Sequence, residues 1–299
     1  MIKIGLIAEF NPFHNGHIYL IKKIKEIYPK SKLIVALSSN YTQRGEIACQ
    51  TFSQRKKIAK QYGVDKVLKL SFETSTQAAH IFAKGSIDVL NKYGINVLVF
   101  GASDTENINK YINAAKALKE NYDFYNKKAK EIMKTGRSFI FSCYEALKHI
   151  IKEEEIPQDV LGFEYTKYIV NNNLNIKLNC IKRTVSHSSD EIESIYASGT
   201  QLRKMIKERK DISKYSPIKL KKVKRIENTY KKFQKIVTKK TTKDLSNIQL
   251  VSEGMENLFK KNISAKNYDE FISACTSKRY TNSRIKRVYL YVLKQKKKK

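Results

Sequence analysis

The sequence predicts an α/β protein: a Rossmann-like parallel sheet followed by a smaller, basic helical region. Short apolar runs at residues 2–8, 32–37, 66–70 and 95–100 alternate with stretches of helical periodicity, the pattern of strands buried on both faces of a parallel sheet. The 299 residues suffice for one large or two ordinary domains. Charge divides the chain unevenly. Residues 211–299 hold 25 Lys+Arg against 7 Asp+Glu, a net +18, whereas the first 210 residues carry +13. The expected division is therefore a sheet domain over 1–210 and a basic helical region with a lysine-rich tail over 211–299.

The first strand, residues 2–8, is broken by Asn11-Pro12, because proline fixes its own φ and pushes the preceding residue out of the helical region. A helix then fits, with Ile18, Ile21, Ile24 and Ile27 on one face and charged residues between them. His14-Asn15-Gly16-His17 falls at this strand-to-helix junction, where backbone N–H groups and the helix dipole favour an anion. Gly16 leaves room for a phosphate, and the two imidazoles would both face it. No third His, Cys or carboxylate lies at ligand spacing nearby, so no metal site is indicated.

A second strand at 32–37 ends in the polar loop 38–46, whose Gln43 and Arg44 are candidate phosphate or RNA contacts. A helix over about 53–62, a strand at 66–70, a helix over about 75–93 and a strand at 95–100 closed by Gly101 follow. In such sheets ligands bind beyond the carboxyl ends of the strands, where His14, His17, the 42–45 loop and Gly101 converge. Residues 106–151 read as charged helices without chemistry. Asp159 is placed to cap a helix, and residues 176–181 form a further strand leading to Arg183. Ser198, Thr200 and Arg203 open another helix, a second candidate phosphate cradle.

Beyond residue 210, basic runs such as Lys219-Leu220-Lys221-Lys222-Val223-Lys224-Arg225 and the Lys294-to-Lys299 tail alternate with helical apolar spacing, predicting a small helical region with a frayed end. Tyr280, Tyr289 and Tyr291 lie among arginines and lysines, where base stacking competes with core packing, the commoner role. The net charge of +31 favours a polyanion, nucleic acid before a membrane surface. Four scattered cysteines read as free thiols of a reducing, cytoplasmic compartment, and no apolar run approaches membrane-spanning length.

The segment Ala8-Glu9-Phe10-Asn11-Pro12-Phe13-His14-Asn15-Gly16-His17 resembles the His-x-Gly-His signature of the nucleotidyltransferase superfamily, relatives of the class I aminoacyl-tRNA synthetases. More narrowly it is similar to the opening of the bacterial tRNA(Met) cytidine acetate ligases. The Asn40-to-Glu46 loop, Gly63-Val64-Asp65, Thr76-Gln77-Ala78-Ala79, Phe82-Ala83-Lys84-Gly85, Phe100-Gly101, Leu161-to-Tyr165, Lys182-Arg183 and Ala197-to-Arg203 match the family's later motifs in order. The likeness covers about residues 1–210. It implies a nucleotidyltransferase domain that binds ATP, with Mg²⁺, through Ile7, Ala8, Glu9, Phe10, Asn11, Pro12, Phe13, His14, Asn15, Gly16, His17, Ile18, Tyr19 and Leu20, together with Gly101, Asp159 and Arg183. His14 and His17 are the implied catalytic pair. Two features depart from the family. Asp159 puts a carboxylate where an amide is usual, and the chain is shorter than typical members, with a C-terminal part not matched to theirs. The implied reaction joins acetate, through acetyl-adenylate, to N4 of the wobble cytidine of elongator tRNA(Met), with no membrane involved. Alternatives are a nucleotidyltransferase acting on a small cofactor precursor and a tRNA-binding protein without catalysis. Oligomeric state is not legible.

Overall fold

The computed structural model describes residues 1–184, 195–220 and 223–298. Its centre is a five-stranded, wholly parallel sheet of β1 (Lys3–Ala8), β2 (Lys32–Leu37), β3 (Lys66–Lys69), β4 (Val97–Ala102) and β5 (Lys177–Lys182), in the order β3-β2-β1-β4-β5. From β1 the chain first builds outward to β2 and β3. It then returns to place β4 against the other side of β1. That reversal opens a crevice at the carboxyl ends of β1 and β4, where ligands of such sheets sit. The parallel pairing of Leu6 with Val99 brings Ala8 and Gly101 to the same level of the crevice.

Alternation along each strand feeds two cores. On β2, Ile34 and Ala36 face one layer while Leu33, Val35 and Leu37 face the other. The first layer holds α4 (Ala79–Tyr93), α5 (Ile108–Glu120), α6 (Tyr122–Lys134), α7 (Phe139–Leu147) and α8 (Val160–Asn171). The second is built from α1 (Asn15–Ile27), α2 (Phe52–Gln61) and α9 (Gly199–Lys207), and it also takes in Ile212 and Ile218. A third core starts at Ile226 and joins α10 (Tyr230–Lys239), α11 (Thr242–Ser246), α12 (Met255–Asn262), α13 (Tyr268–Cys275) and α14 (Asn282–Lys294).

Several sequence expectations are corrected. Ile27 is 49% exposed, because a strict three-residue spacing drifts off the face of a 3.6-residue helix. The helix expected over 75–93 is two: α3 (Phe72–Ser75), then α4 after a turn at 76–78. β4 begins at Val97 rather than residue 95. Gly94 ends α4 in the left-handed conformation, and the Ile95 side chain fills the space left by Gly5, whose Cβ would lie 2.5 Å from Ile95 Cδ1. The tail is not frayed as far as Lys298. Its backbone bridges Ile248 and bonds Asn247 and Gln249, and Lys296 pairs with Glu73 at 2.6 Å. Tyr289 and Tyr291 are fully buried, as core packing requires. Lys221, Lys222 and Lys299 of the basic runs lie outside the described residues.

Candidate active site

The start of α1 is capped by its own histidines. His14 is extended at the N-cap, its Nδ1 accepting from Gly16 N (3.1 Å), while His17 Nδ1 accepts from His14 N (3.2 Å). With Nδ1 accepting, each neutral ring carries its proton on Nε2. The two rings lie 3.8 Å apart, and Phe10 and Phe13, both buried, pack against His17. Phe10 holds a left-handed backbone (φ 49°), unusual for an aromatic residue and costing on the order of 1 kcal/mol.

This corrects one sequence expectation. The N–H groups of the first turn are not open to a phosphate: Asn15 donates to Tyr215 O, Gly16 to His14 Nδ1 and His17 to His14 O. Any anion here meets imidazole and helix dipole instead. Gly16 leaves room for an imidazole, since a Cβ there would sit 2.9 Å from His14 Cε1.

The rest of the opening segment is tied into the fold. Ile7 and Ala8 end β1, and Ile18, Tyr19 and Leu20 pack beside the second core. Asn11 is buried, accepting from Cys49 N (2.8 Å) through its side chain, and Pro12 is buried beside it. Asn15 Nδ2 ties α1 to Ile195 O and Lys214 O. Glu9 accepts from Gln43 N at 2.6 Å. Burial pushes the Glu9 carboxyl up, against that hydrogen bond and the pull of Arg203 and Arg55.

Three further groups converge on the crevice. On the β4 side, Arg183 follows β5 and bonds Asp159 (2.7 Å), and a Cβ on Gly101 would lie 3.0 Å from Arg183 Nε. Asp159 also caps α8 by accepting from Gly162 N. Its carboxylate is thus neutralised by the neighbouring guanidinium. On the other side Ser198 caps α9, and Thr200 accepts from Arg203. Arg203 donates to Asn11 O (2.9 Å) and lies 3.5 Å from Glu46. A Cβ on Gly199 would fall 3.9 Å from His14 Nε2, so the α9 start and the histidine pair share one wall. Thr184, next to Arg183, reaches toward Gly16.

Gln43 is committed to framework: its N–H holds Glu9, its Nε2 donates to Gln77 O and its carbonyl accepts from Arg287. Arg44 is exposed on the same loop. Sequence reasoning missed Arg55. It is wholly buried, donating to Glu9 O, Ser38 Oγ, Ser38 O, Ser39 O and Gln50 O, so it ties the ends of β1 and β2 together. Burial lowers its pKa to about 10, which leaves it charged at neutral pH. Within Ser53-Gln54-Arg55-Lys56-Lys57 it reads as one more solvated cation. Among the described residues, no group of three or more His, Cys, Asp or Glu side chains is placed to hold a metal ion.

A parallel sheet whose first strand leads into His-x-Gly-His at the switch point, with Arg183 beside the end of β4 and Arg203 beside the histidines, has the arrangement of a nucleotidyltransferase fold. The family model described as HIGH Nucleotidyl Transferase matches residues 1–299, so the C-terminal part belongs to the likeness after all. The chain belongs to the tRNA(Met) cytidine acetate ligase family. A relative so named from Mycoplasmopsis pulmonis is 51% identical over 292 residues, covering 97% of this chain and 98% of the relative. One from Caldicellulosiruptor saccharolyticus is 34% identical, covering 97% and 76%. The crystal structure of Thermotoga maritima TmcAL (apo, form I) superposes with a TM-score of 0.90 at 29% identity, covering all of this chain and 76% of that one. Its form bound with alpha-thio ATP superposes at 0.86 with 28% identity and the same coverage.

Proposed function

We propose that this protein is an ATP-dependent ligase that makes acetyl-adenylate and transfers the acetyl group to N4 of the wobble cytidine of elongator tRNA(Met). The observation that carries the reading is the convergence of His14, His17, Arg183 and Arg203 on the β1–β4 crevice. It joins family membership to a site of the right charge. Residues 7–20, Gly101, Asp159 and Arg183 would hold ATP. Asp159 supports this by fixing Arg183 rather than by opposing the phosphates. Mg²⁺ would arrive with the triphosphate, held largely by phosphate oxygens and water.

In the first step an acetate oxygen attacks the α-phosphorus and pyrophosphate leaves. Charge builds on the phosphate oxygens, which the Nε2–H groups and arginines stabilise without a nucleophilic side chain. In the second step the cytidine N4 amine attacks the acetyl carbonyl, AMP departs, and the amine proton is lost to solvent. Residues 1–210 would carry this chemistry. Residues 211–299, at +18, would bind the RNA backbone, with the handover between cores falling between Leu220 and Ile226. Among the described residues no helix is long and apolar enough to cross a membrane.

The test is incubation with ATP, radiolabelled acetate and unmodified elongator tRNA(Met), followed by nucleoside analysis. Label in N4-acetylcytidine, abolished by His14→Ala, is expected. Adenylate formation without labelled RNA would reassign the acceptor.

A further inference from the structure

Helix α14 turns Arg287 and Tyr291, one helical turn apart, toward the sheet domain. The Tyr291 hydroxyl accepts from Gln77 Nε2 (3.2 Å) and donates to Glu73 O (3.4 Å), which fixes that face against the turn before α4. Arg287 is 6% exposed, yet its one hydrogen bond among the described residues is a long one, from Nη1 to Gln43 O at 3.3 Å. No carboxylate among the described residues lies within ion-pair distance of it. A buried cation without a counter-charge is costly, and desolvation together with Arg284 lowers its pKa to about 10. None of its nitrogens is both sealed from solvent and unpartnered, so the remaining N–H groups open onto the surface.

Beside it lies the N-terminus of α4. Ile81 N bonds Ala78 O, but the N-cap, Ala78, offers no side chain to the N–H groups of Ala79 and His80. The charge of Arg287 is felt at His80 in that turn, and the His80 ring touches Phe139, with centroids 5.4 Å apart. Phe139 is 45% exposed at the start of α7, and the Arg137 guanidinium stands 4.8 Å over the neighbouring Phe141 ring. The nucleotide-facing arginines are Arg183, which follows β5 beside Gly101, and Arg203 on α9. Arg287 reaches the site from the C-terminal helices, through the Gln43 that holds Glu9. An uncompensated cation and an exposed ring on one side of a reaction crevice are the chemistry that holds single-stranded nucleic acid.

We propose that Arg287, the uncapped start of α4 and the ring of Phe139 form a subsite for the single-stranded RNA flanking the reacting cytidine. The guanidinium and helix end hold a phosphodiester, and Phe139 stacks a base. The proposal rests on the ligase reading above. Acetyl transfer to elongator tRNA(Met) is to be measured for Phe139→Ala, Phe139→Trp and Arg287→Gln. For Phe139→Ala and Arg287→Gln, KM for RNA should rise about tenfold. Phe139→Trp should restore it, and the effect should fall on RNA rather than on KM for ATP or acetate in pyrophosphate exchange. Unchanged KM for RNA in folded Phe139→Ala, which removes an exposed side chain, overturns the subsite. So does a rise confined to KM for ATP or acetate. If the wild type acetylates no RNA, the ligase reading fails by itself. The subsite is then decided by anisotropy with a fluorescent anticodon stem-loop: about tenfold weaker binding by Phe139→Ala sustains it, and equal binding removes it.

Discussion

His14 serves two masters, since its Nδ1 caps α1 while the opposite edge of the ring lies beside α9. The roles separate in His14→Asn, because asparagine is a strong N-cap but has no Nε2–H. We expect a melting temperature within a few degrees of wild type and acetate-dependent ATP–pyrophosphate exchange lower by about 10²–10³. A comparable loss of stability would make the histidine mainly structural. Asp159 has a parallel pair of duties, capping α8 and holding Arg183. Asp159→Asn keeps an acceptor for both, so KM for ATP should shift less than about threefold, whereas Asp159→Ala should raise it about tenfold. The motif residues were legible in sequence. Their partners were not, because Gly199 and Arg183 reach His14 and Gly101 only once α9 meets α1 and β5 pairs with β4.

At the scale of elements, strands β1 and β2 were readable almost to the residue, since a buried parallel strand is a continuous apolar run. Where a side chain left its own element to pack elsewhere, as Ile95 does beneath α4, the boundary moved. Arg55 shows the same limit. Its five acceptors come from the ends of β1 and β2 and the turn before α2, and nothing in Gln54-Arg55-Lys56 announces them. Arg55→Met should cost about 3 kcal/mol or more in urea unfolding, because it strands buried carbonyls. The loop between β4 and α5 is closed by Asp104, bonded to Lys110 (2.8 Å) and Tyr111 (3.1 Å). Burial alone would raise the Asp104 carboxyl, but these partners outweigh it and hold it below its ordinary value. The folded state therefore binds that proton less readily than the unfolded chain. The pair stabilises above the usual aspartate range near pH 4 and is lost as pH falls through the lowered folded value. Thermal melts between about pH 6 and 3 should decline less steeply for Asp104→Asn than for wild type.

Across the whole molecule, the contacts that fasten the C-terminal helices to the sheet domain include Gln77 with Tyr291, Gln43 with Arg287, Glu46 with Lys286 and Glu73 with Lys296. Gly45 allows a close backbone approach, since a Cβ there would lie 2.5 Å from Arg287 N. The basic region is thus held against the loop that also positions Glu9. With a net charge of +31, tRNA affinity should fall by about 10³ or more between 50 and 200 mM salt, while KM for ATP changes little. A shallow salt slope would mean that most of these cations face away from the RNA.

The amino-acid order by itself determined the parallel α/β class, the strand positions, the histidine pair at the first strand-to-helix junction and the basic C-terminal region. Each of these is written in local periodicity, turn chemistry or composition. Tertiary structure alone decided that the start of α9 lies beside His14, that Asp159 is neutralised by Arg183, that Arg55 clamps two strand ends and that the lysine tail is pinned as far as Lys298. Those outcomes depend on groups tens to hundreds of residues apart, and only the packing of the sheet, its two helical layers and the third core brings them within hydrogen-bonding distance.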